Sequence, residues 1–374
     1  MPSWLKEGRG SLCGANVSLL LREMGITKPL LVAGERTKNV FFARTGMRLP
    51  VFDAFHPNPD LQDCVAGAAL YQEKGCDGLI SIGGGSAMDT AKGIKALLMT
   101  DIAHVRANQL PPEGKVPHLA IPGTAGTGAE TTAVAALYED GQKLSVDHPA
   151  LLPDGVLLDG SLLDTLPEYH RKSCAMDALA QGIESWWAKK ATPGSRIHAE
   201  RAIRGVLDNL TAYLQGDRKA QDEMLHAAYE SGVAILTTRT TAAHAMSYQI
   251  TKKLGAAHGH ACMLTLPHLW AHLAAQAEYQ PMLTELAHIL GGEKPMDGAV
   301  LLRGLLAVLE LDKIPMPDDA TLDMLAASVN PERLGNHPEA LTTAQLRAIY
   351  VQAFTPMTDT ERAEAIAAWE QYGK

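Results

Sequence analysis

The sequence has no excess of positive charge. Its 374 residues include 33 lysines and arginines against 42 aspartates and glutamates, which gives a formal net charge of -9. A nucleic-acid binder needs a basic surface for its phosphate contacts, so this balance argues against that class of protein. The balance still allows a local basic pocket for an anionic substrate.

Paired cysteines and long apolar runs are also missing. The five cysteines are odd in number and show no CxxC spacing, which predicts neither a disulfide framework nor a thiolate zinc site and favours a reducing cytoplasm. No stretch reaches the roughly 18 apolar residues of a membrane span, and "MPSWLKEGRG" does not resemble a secretion signal. We therefore expect a cytoplasmic protein that is neither exported nor embedded in a membrane.

The length predicts two domains, each with its own core. Residues 1–164 alternate short apolar runs with amphipathic stretches, and the runs at 29–34, 78–83 and 118–123 are expected strands that end at glycine. This pattern predicts an α/β nucleotide-binding domain with a parallel sheet. In residues 165–374 the strand signals disappear and helical spacing takes over, which predicts an all-helical second domain.

The segment "LISIGGGSAMDTAKGI" is the strongest local motif. A strand that leads through Gly83, Gly84 and Gly85 into a helix lets backbone amides approach a phosphate at the helix N-terminus. Ser86 and Asp89 have the spacing of a capping box. The glycines could equally serve only to turn the chain, and the motif is not the GxGxxG dinucleotide fingerprint.

A second loop, "IPGTAGTGAETTA", again leaves a predicted strand with glycines and threonines. Either loop alone could be an ordinary connection between elements. Two such loops in one sheet favour the binding of a dinucleotide. Rossmann-type sites often place a carboxylate at the adenosine ribose, which repels a 2′-phosphate. Here Gly34 occupies that region, followed by Glu35, Arg36 and Lys38, so NADP(H) is at least as strongly indicated as NAD(H).

Four polar residues of the second half could hold a metal ion. Asp177 and Gln181 are four residues apart and would share one helical face, and His244 and His258 lie in otherwise apolar segments. A carboxylate with imidazoles suits Fe(II) or Zn(II), and Gln181 would be a weak neutral oxygen donor. The alternatives are a polar helix face that also carries Glu184, and histidines that bond to the backbone. His260, His268 and His272 follow closely, and so dense a cluster indicates a pocket.

These segments resemble, in order, the iron-containing (group III) alcohol dehydrogenases. The similarity is carried by "GGGSAMDTAKGI", "IPGTAGTGAETT", "LLPDGVLLDGSLLDTLP", "MDALAQGIES" and the segment with the two histidines. It implies a dehydroquinate synthase-like fold with an N-terminal Rossmann-like domain, a C-terminal helical domain, an active site between them, and a homodimer.

The resemblance also implies roles for particular residues. Asp177, Gln181, His244 and His258 match the metal-ligand positions, where the family usually has Asp and three His. Tyr248 replaces a further active-site His of many relatives, and a proton relay could include Tyr248 or His260. The positions that match cofactor contacts are Asn58, Gly84, Gly85, Ser86, Thr124, Thr127 and Lys143.

Within the family, the segments "MDALAQGIESWW" and "AAHAMSYQITKKLGAAHGHA" look like the branch of phosphonoacetaldehyde reductases. This implies reduction of an aldehyde that bears a phosphonate, in phosphonate biosynthesis. Arg239, Lys252, Lys253 and His260 surround the motif and could bind that group, or they could be a solvated face. A dehydrogenase of small uncharged alcohols, a non-redox enzyme of the dehydroquinate synthase type and a metal-free cofactor-binding protein remain alternatives.

Overall fold

A computed structural model describes residues 6–112 and 116–372 of the chain. The chain forms two compact units, Met1–Thr165 and Leu166–Lys374. The first contains strands and helices, and the described part of the second contains helices and no strand. The predicted order, an α/β half followed by a helical half, is confirmed.

The first unit is built on a six-stranded sheet whose pairings are all parallel. Its strands are β1 Lys6–Arg9, β2 Pro29–Ala33, β3 Val51–Phe52, β4 Gly78–Gly83, β5 His118–Pro122 and β8 Gly155–Leu158, in the order β1-β8-β5-β4-β2-β3. An antiparallel hairpin is formed by β6 Val134–Glu139 and β7 Gln142–Asp147. The three strands predicted from the sequence are β2, β4 and β5.

The helices of this unit cover both faces of the sheet. They are α1 Gly14–Glu23, α2 Glu35–Thr45, α3 Leu61–Lys74, α4 Gly85–Met99 and α5 Ile102–Arg106. Alternate residues of β2 point to opposite faces, so Leu30 packs in the same core cluster as Leu61 of α3. Its neighbour Leu31 packs in the cluster that holds Val17 of α1 and Phe41 of α2. A continuous apolar run thus forms a strand that is buried on both faces.

The second unit is a bundle of helices. They are α6 Glu168–Trp187, α7 Pro193–Leu214, α8 Arg218–Thr238, α9 Ala242–Gln249, α10 His258–Ala274, α11 Gln280–Leu290, α12 Asp297–Val308, α13 Asp319–Ala327, α14 Pro331–Leu334, α15 Thr343–Phe354 and α16 Asp359–Tyr372. A π-helical segment, Ile250–Leu254, connects α9 to α10. α6 packs against α7, α8 and α10, and α9 packs against α10. These contacts bring the polar residues of α6, α9 and α10 to one place.

No helix within the described ranges is long and apolar enough to cross a bilayer.

Candidate metal centre and cofactor loops

Helix α6 carries three polar residues on one face, at Asp177, Gln181 and Glu184. All three are buried, with exposed fractions of 2%, 3% and 0%. Polar groups this deep are costly unless each of them has a partner. Their partners come from α8, α9 and α10.

Glu184 fixes the orientation of His244 on α9. Its carboxylate accepts hydrogen bonds from the hydroxyl of Thr241 at 2.7 Å and from the backbone N–H of Ala243 at 2.7 Å. It also accepts from Nδ1–H of His244, because a carboxylate can only accept. This directs Nε2 of His244 to Oδ1 of Asp177, which lies 3.3 Å away. A carboxylate behind an imidazole is the usual support of a metal-bound histidine.

Helix α10 brings His258 and Cys262 to the same place. Its second residue, Gly259, lies directly on α6, where an added Cβ would be 2.0 Å from the carbonyl oxygen of Ser173 and 2.7 Å from the backbone nitrogen of Asp177. Only glycine allows this approach. It places Nε2 of His258 at 3.8 Å from Oδ1 of Asp177, and Sγ of Cys262 at 3.9 Å from Nε2 of His258.

The four side chains form a cluster that fits a divalent metal ion. One ligand atom from each of Asp177, His244, His258 and Cys262 lies within 4.8 Å of the others. Oδ1 of Asp177 and Nε2 of His244 are buried and have no hydrogen-bond partner. The two atoms face each other at 3.3 Å, and either a proton on His244 or a bound metal cation compensates the negative charge of Asp177.

The protonation states of the cluster agree with a cation site. Burial favours the neutral thiol of Cys262, but the charges of His244 and His258 outweigh burial and lower its pKa to about 7. Burial likewise opposes the charge of Asp177, yet His258, His244 and Gln181 hold its pKa below the usual range. A bound divalent cation would displace the protons that the histidines otherwise carry.

Gln181, predicted as a ligand, lies beside the cluster. Its carbonyl oxygen accepts a hydrogen bond of 2.8 Å from the hydroxyl of Ser231 on α8. Its side chain also hydrogen-bonds to Asp177 and lowers the pKa of that carboxyl. The position of Gln181 therefore suits a residue that orients Asp177, while its role as a metal ligand stays a prediction.

The two predicted relay residues differ in their surroundings. Tyr248 is half-buried, and its ring stacks on that of His258 with centroids 6.1 Å apart. His260 is buried, and its Nε2–H donates to the carbonyl of Leu311 at 2.7 Å while Nδ1 accepts from the hydroxyl of Tyr169 at 3.1 Å. Both nitrogens of His260 thus have protein partners, so a proton could leave it only through Tyr169. The relay role of either residue stays a prediction.

In the first unit, the two glycine-rich loops lie side by side. β4 ends at Gly83, whose φ of +146° favours glycine, and Gly84 precedes the first turn of α4. An added Cβ on Gly84 would lie 3.2 Å from Thr124, and one on Gly85 would lie 3.6 Å from Thr127. The loops after β4 and β5 therefore form one small cradle at the N-terminus of α4, where amides and hydroxyls suit a pyrophosphate.

Asn58 and Lys143, two further predicted cofactor residues, each interact with a residue of α4. The backbone N–H of Asn58 donates to the hydroxyl of Ser86 at 3.3 Å. Ser86 is not the helix cap that its spacing predicted, because α4 begins one residue earlier with Gly84 as its N-cap. Lys143 is exposed on β7, and its charge reaches Asp89 of α4, where burial raises the pKa to about 6 and nearby lysines oppose that rise.

Gly34, at the start of α2, has open space beside it. No atom lies within 4 Å of a Cβ built there. The positive charges predicted for this region have other partners. Nζ of Lys38 contacts Asp53 at 2.7 Å and Glu35 at 2.5 Å, and Arg36 donates to the hydroxyl of Thr165. The region beside Gly34 is open, and its lysine is shared with two carboxylates.

The close approach at Gly259 can be tested by Gly259→Ala. The added methyl meets backbone atoms of α6, so we expect a loss of about 1–3 kcal/mol in the free energy of unfolding and weaker metal binding. Thermal denaturation and metal titration measure both quantities. Gly194→Ala, on the exposed start of α7, is the matched control, and it should leave metal binding unchanged and should not lower the free energy of unfolding. An unchanged metal affinity in Gly259→Ala would contradict the geometry described here.

Two family models match the chain in sequence. Residues 3–160 match "Iron-containing alcohol dehydrogenase", and residues 172–354 match "Fe-containing alcohol dehydrogenase family, C-terminal". The two matches correspond to the α/β unit and to most of the helical unit.

Known proteins are similar over much of the chain. The NAD-dependent methanol dehydrogenase of Bacillus methanolicus is 30% identical over 75% of this chain and 77% of its own length. The phosphonoacetaldehyde reductase of Streptomyces viridochromogenes is 36% identical, over 57% of this chain and 58% of that protein. Among solved structures, the sulfoacetaldehyde reductase of Bifidobacterium kashiwanohense in complex with NAD⁺ has a TM-score of 0.85 at 25% identity, covering 95% of this chain and 97% of that one.

These matches agree with the resemblance drawn from the motifs, and they cover both units. The chain belongs to the iron-containing alcohol dehydrogenase family and is an NAD(P)-dependent alcohol dehydrogenase or aldehyde reductase.

Proposed function

We propose that this protein reduces phosphonoacetaldehyde to 2-hydroxyethylphosphonate, with hydride from NADPH or NADH, in phosphonate biosynthesis. The observation that carries the chemistry is the cluster of Asp177, His244 and the half-buried His258, whose carboxylate and two imidazoles converge as the ligands of a divalent cation would. The choice of substrate is supported by the 36% identity with a phosphonoacetaldehyde reductase. The similar structure of a sulfoacetaldehyde reductase gives further support, because that protein is also named for a two-carbon aldehyde with an anionic group.

The metal site would be held by residues of three helices. Asp177, His244 and His258 supply one carboxylate and two imidazoles, a set that suits Fe(II) or Zn(II). When bound, such an ion supplies Lewis acidity that polarises a carbonyl. Glu184 keeps Nε2 of His244 available for the ion by accepting from Nδ1–H.

The proton for the product alcohol would come from solvent or from a side chain near His258. Of the two predicted relay residues, Tyr248 stacks its ring on that of His258, with centroids 6.1 Å apart and an interplanar angle of 2°. His260 would act through the hydroxyl of Tyr169, which lies 3.1 Å from its Nδ1. Tyr169 is 40% exposed and can exchange protons with water.

The cofactor would bind at the cradle of the first unit. Gly84 and Gly85 let the pyrophosphate approach the N-terminus of α4, and Thr124 and Thr127 offer hydroxyls beside it. Gly34 leaves room for the 2′-phosphate of NADP(H). Lys38 contacts Glu35 and Asp53, and these carboxylates offset the positive charge that would bind a 2′-phosphate. The same site therefore also suits NAD(H).

The phosphonate would be bound by basic residues near the two histidine-bearing helices. Lys252 and Lys253 are exposed on the π-helical segment that connects α9, with His244, to α10, with His258. Arg239 is half-buried and donates to the backbone carbonyl of Leu236 at 2.9 Å. Their greater exposure makes the two lysines the stronger candidates for contact with an anionic group.

The second candidate function is reduction or oxidation of small uncharged aldehydes and alcohols. It is supported by the 30% identity with a methanol dehydrogenase. In that case the lysines would be a solvated face. A cytoplasmic location and a homodimer stay predictions from the sequence.

Initial rates with phosphonoacetaldehyde and with propionaldehyde distinguish the two functions. We expect the metal-loaded protein to oxidise NADPH or NADH in the presence of either aldehyde. Its kcat/KM for phosphonoacetaldehyde should exceed that for propionaldehyde by at least about a hundredfold, a difference of about 2.7 kcal/mol in transition-state stabilisation. An equal or higher kcat/KM for propionaldehyde would contradict the phosphonate proposal and support the second candidate function.

Substitution of the lysines tests the phosphonate contact. Lys252→Gln and Lys253→Gln each remove a charge from the exposed segment, so KM for phosphonoacetaldehyde should rise by about tenfold in at least one variant. Rates with propionaldehyde should stay the same. Lys219→Gln, an exposed lysine of α8, is the control and should change neither rate. An unchanged KM in both variants would rule out these lysines as the phosphonate site.

The cofactor preference can be tested by Gly34→Asp. The new carboxylate would enter open space and repel a 2′-phosphate, so the KM ratio of NADPH to NADH should increase by about tenfold or more. Gly34→Ala adds a methyl group without charge and should leave the ratio close to that of the parent. If Gly34→Asp left the ratio unchanged, the ribose would lie elsewhere.

A further inference from the structure

We propose that the thiolate of Cys262 is the fourth metal ligand of this protein, and that Gln181 is a positioning residue behind Asp177. The inference rests on the proposed function in that it requires a resident divalent ion. It changes the chemistry of the site, because a soft sulfur ligand takes the place of a neutral amide oxygen.

The position of Cys262 is the first argument. It follows His258 by one turn of α10, so both side chains point to the same side. Sγ lies 3.9 Å from Nε2 of His258 and within 4.8 Å of the ligand atoms of Asp177 and His244. Ligand atoms about 2.0–2.3 Å from a tetrahedral ion lie roughly 3.3–3.6 Å apart. Side-chain movements of about an ångström or less would therefore close the four atoms around an ion.

The hydrogen bonds of Gln181 are the second argument. The carbonyl oxygen, its only donor atom for a metal, accepts a hydrogen bond of 2.8 Å from Ser231. The hydroxyl of Ser231 is in turn fixed near the carbonyl of Ala228, at 2.8 Å. The amide group hydrogen-bonds to Asp177. Gln181 thus has the partners of a residue that orients a ligand from behind.

The state of the sulfur is the third argument. Cys262 is buried and is in no disulfide, so its sulfur can bind a metal ion. Its thiolate would add one negative charge to that of Asp177 around a divalent ion, and the buried carboxylate of Glu184 lies farther out, behind His244.

Cobalt(II) provides a direct spectroscopic test on the full-length protein. A thiolate bound to Co(II) gives a strong charge-transfer absorption in the near ultraviolet, and carboxylates, imidazoles and amides do not. We expect this band in the parent, in Gln181→Ala and in Cys76→Ser, whose cysteine lies in the first unit. We expect Cys262→Ser to lack it. A parent protein that binds one equivalent of Co(II) without the band would overturn the proposal, and so would a band that persists in Cys262→Ser.

X-ray absorption of the zinc-loaded parent needs no variant and covers the case in which Cys262→Ser fails to fold. One sulfur at about 2.3 Å from the zinc supports the proposal, and a shell of nitrogen and oxygen alone at about 2.0–2.2 Å overturns it. Metal affinity separates the two roles. Cys262→Ser should bind zinc at least a hundredfold more weakly, whereas Gln181→Ala should lose about 10–100-fold at most.

Failure of the proposed function can be distinguished from failure of the Cys262 assignment. A thiolate band in a protein that reduces no aldehyde would reject the function and keep the ligand assignment. Aldehyde reduction by a metal-loaded protein without the band would keep the function and reject Cys262. Failure of the parent to bind any divalent ion would overturn both.

Discussion

The contact between the start of α10 and the middle of α6 is the constraint on which the candidate metal site depends. It exists because Gly259 has no side chain, and a Cβ there would lie 2.0 Å from a backbone oxygen of α6. The contact brings His258 and Cys262 to Asp177. Without it, α10 would shift away from α6 and separate the imidazole from the carboxylate.

A second constraint acts on the other imidazole. Glu184 is fully buried, and it is stabilised by donors from Thr241, Ala243 and His244 at the start of α9. These hydrogen bonds fix the orientation of the first turn of α9 and of the His244 imidazole. As a result, Nε2 of His244 faces Asp177. Because the site is buried, each polar atom needs a partner, and a bound cation would serve Oδ1 of Asp177 and Nε2 of His244 together. The same burial explains why Glu184 hydrogen-bonds to His244 and Gln181 to Asp177.

The sequence predicted the two halves, three of the buried strands, and Asp177, His244 and His258, whose ligand atoms the structure brings together. Helical spacing carries that information directly. It did not predict the role of Glu184, because a third polar residue on a helix face is usually solvated and only tertiary packing buries it. No sequence signal marks Cys262, because a single cysteine without CxxC spacing does not indicate a metal site. The cap expected at Ser86 was wrong because Gly84 already occupies the N-cap, one residue before α4 begins.

Anomalous X-ray diffraction from crystals of the zinc-loaded protein, measured at the zinc edge, tests the central claim most directly. The account predicts one strong peak in the second unit, about 2.0–2.2 Å from Oδ1 of Asp177 and from Nε2 of His244 and of His258. A zinc-loaded crystal with no peak among these three atoms, or with its only peak elsewhere, would contradict the account.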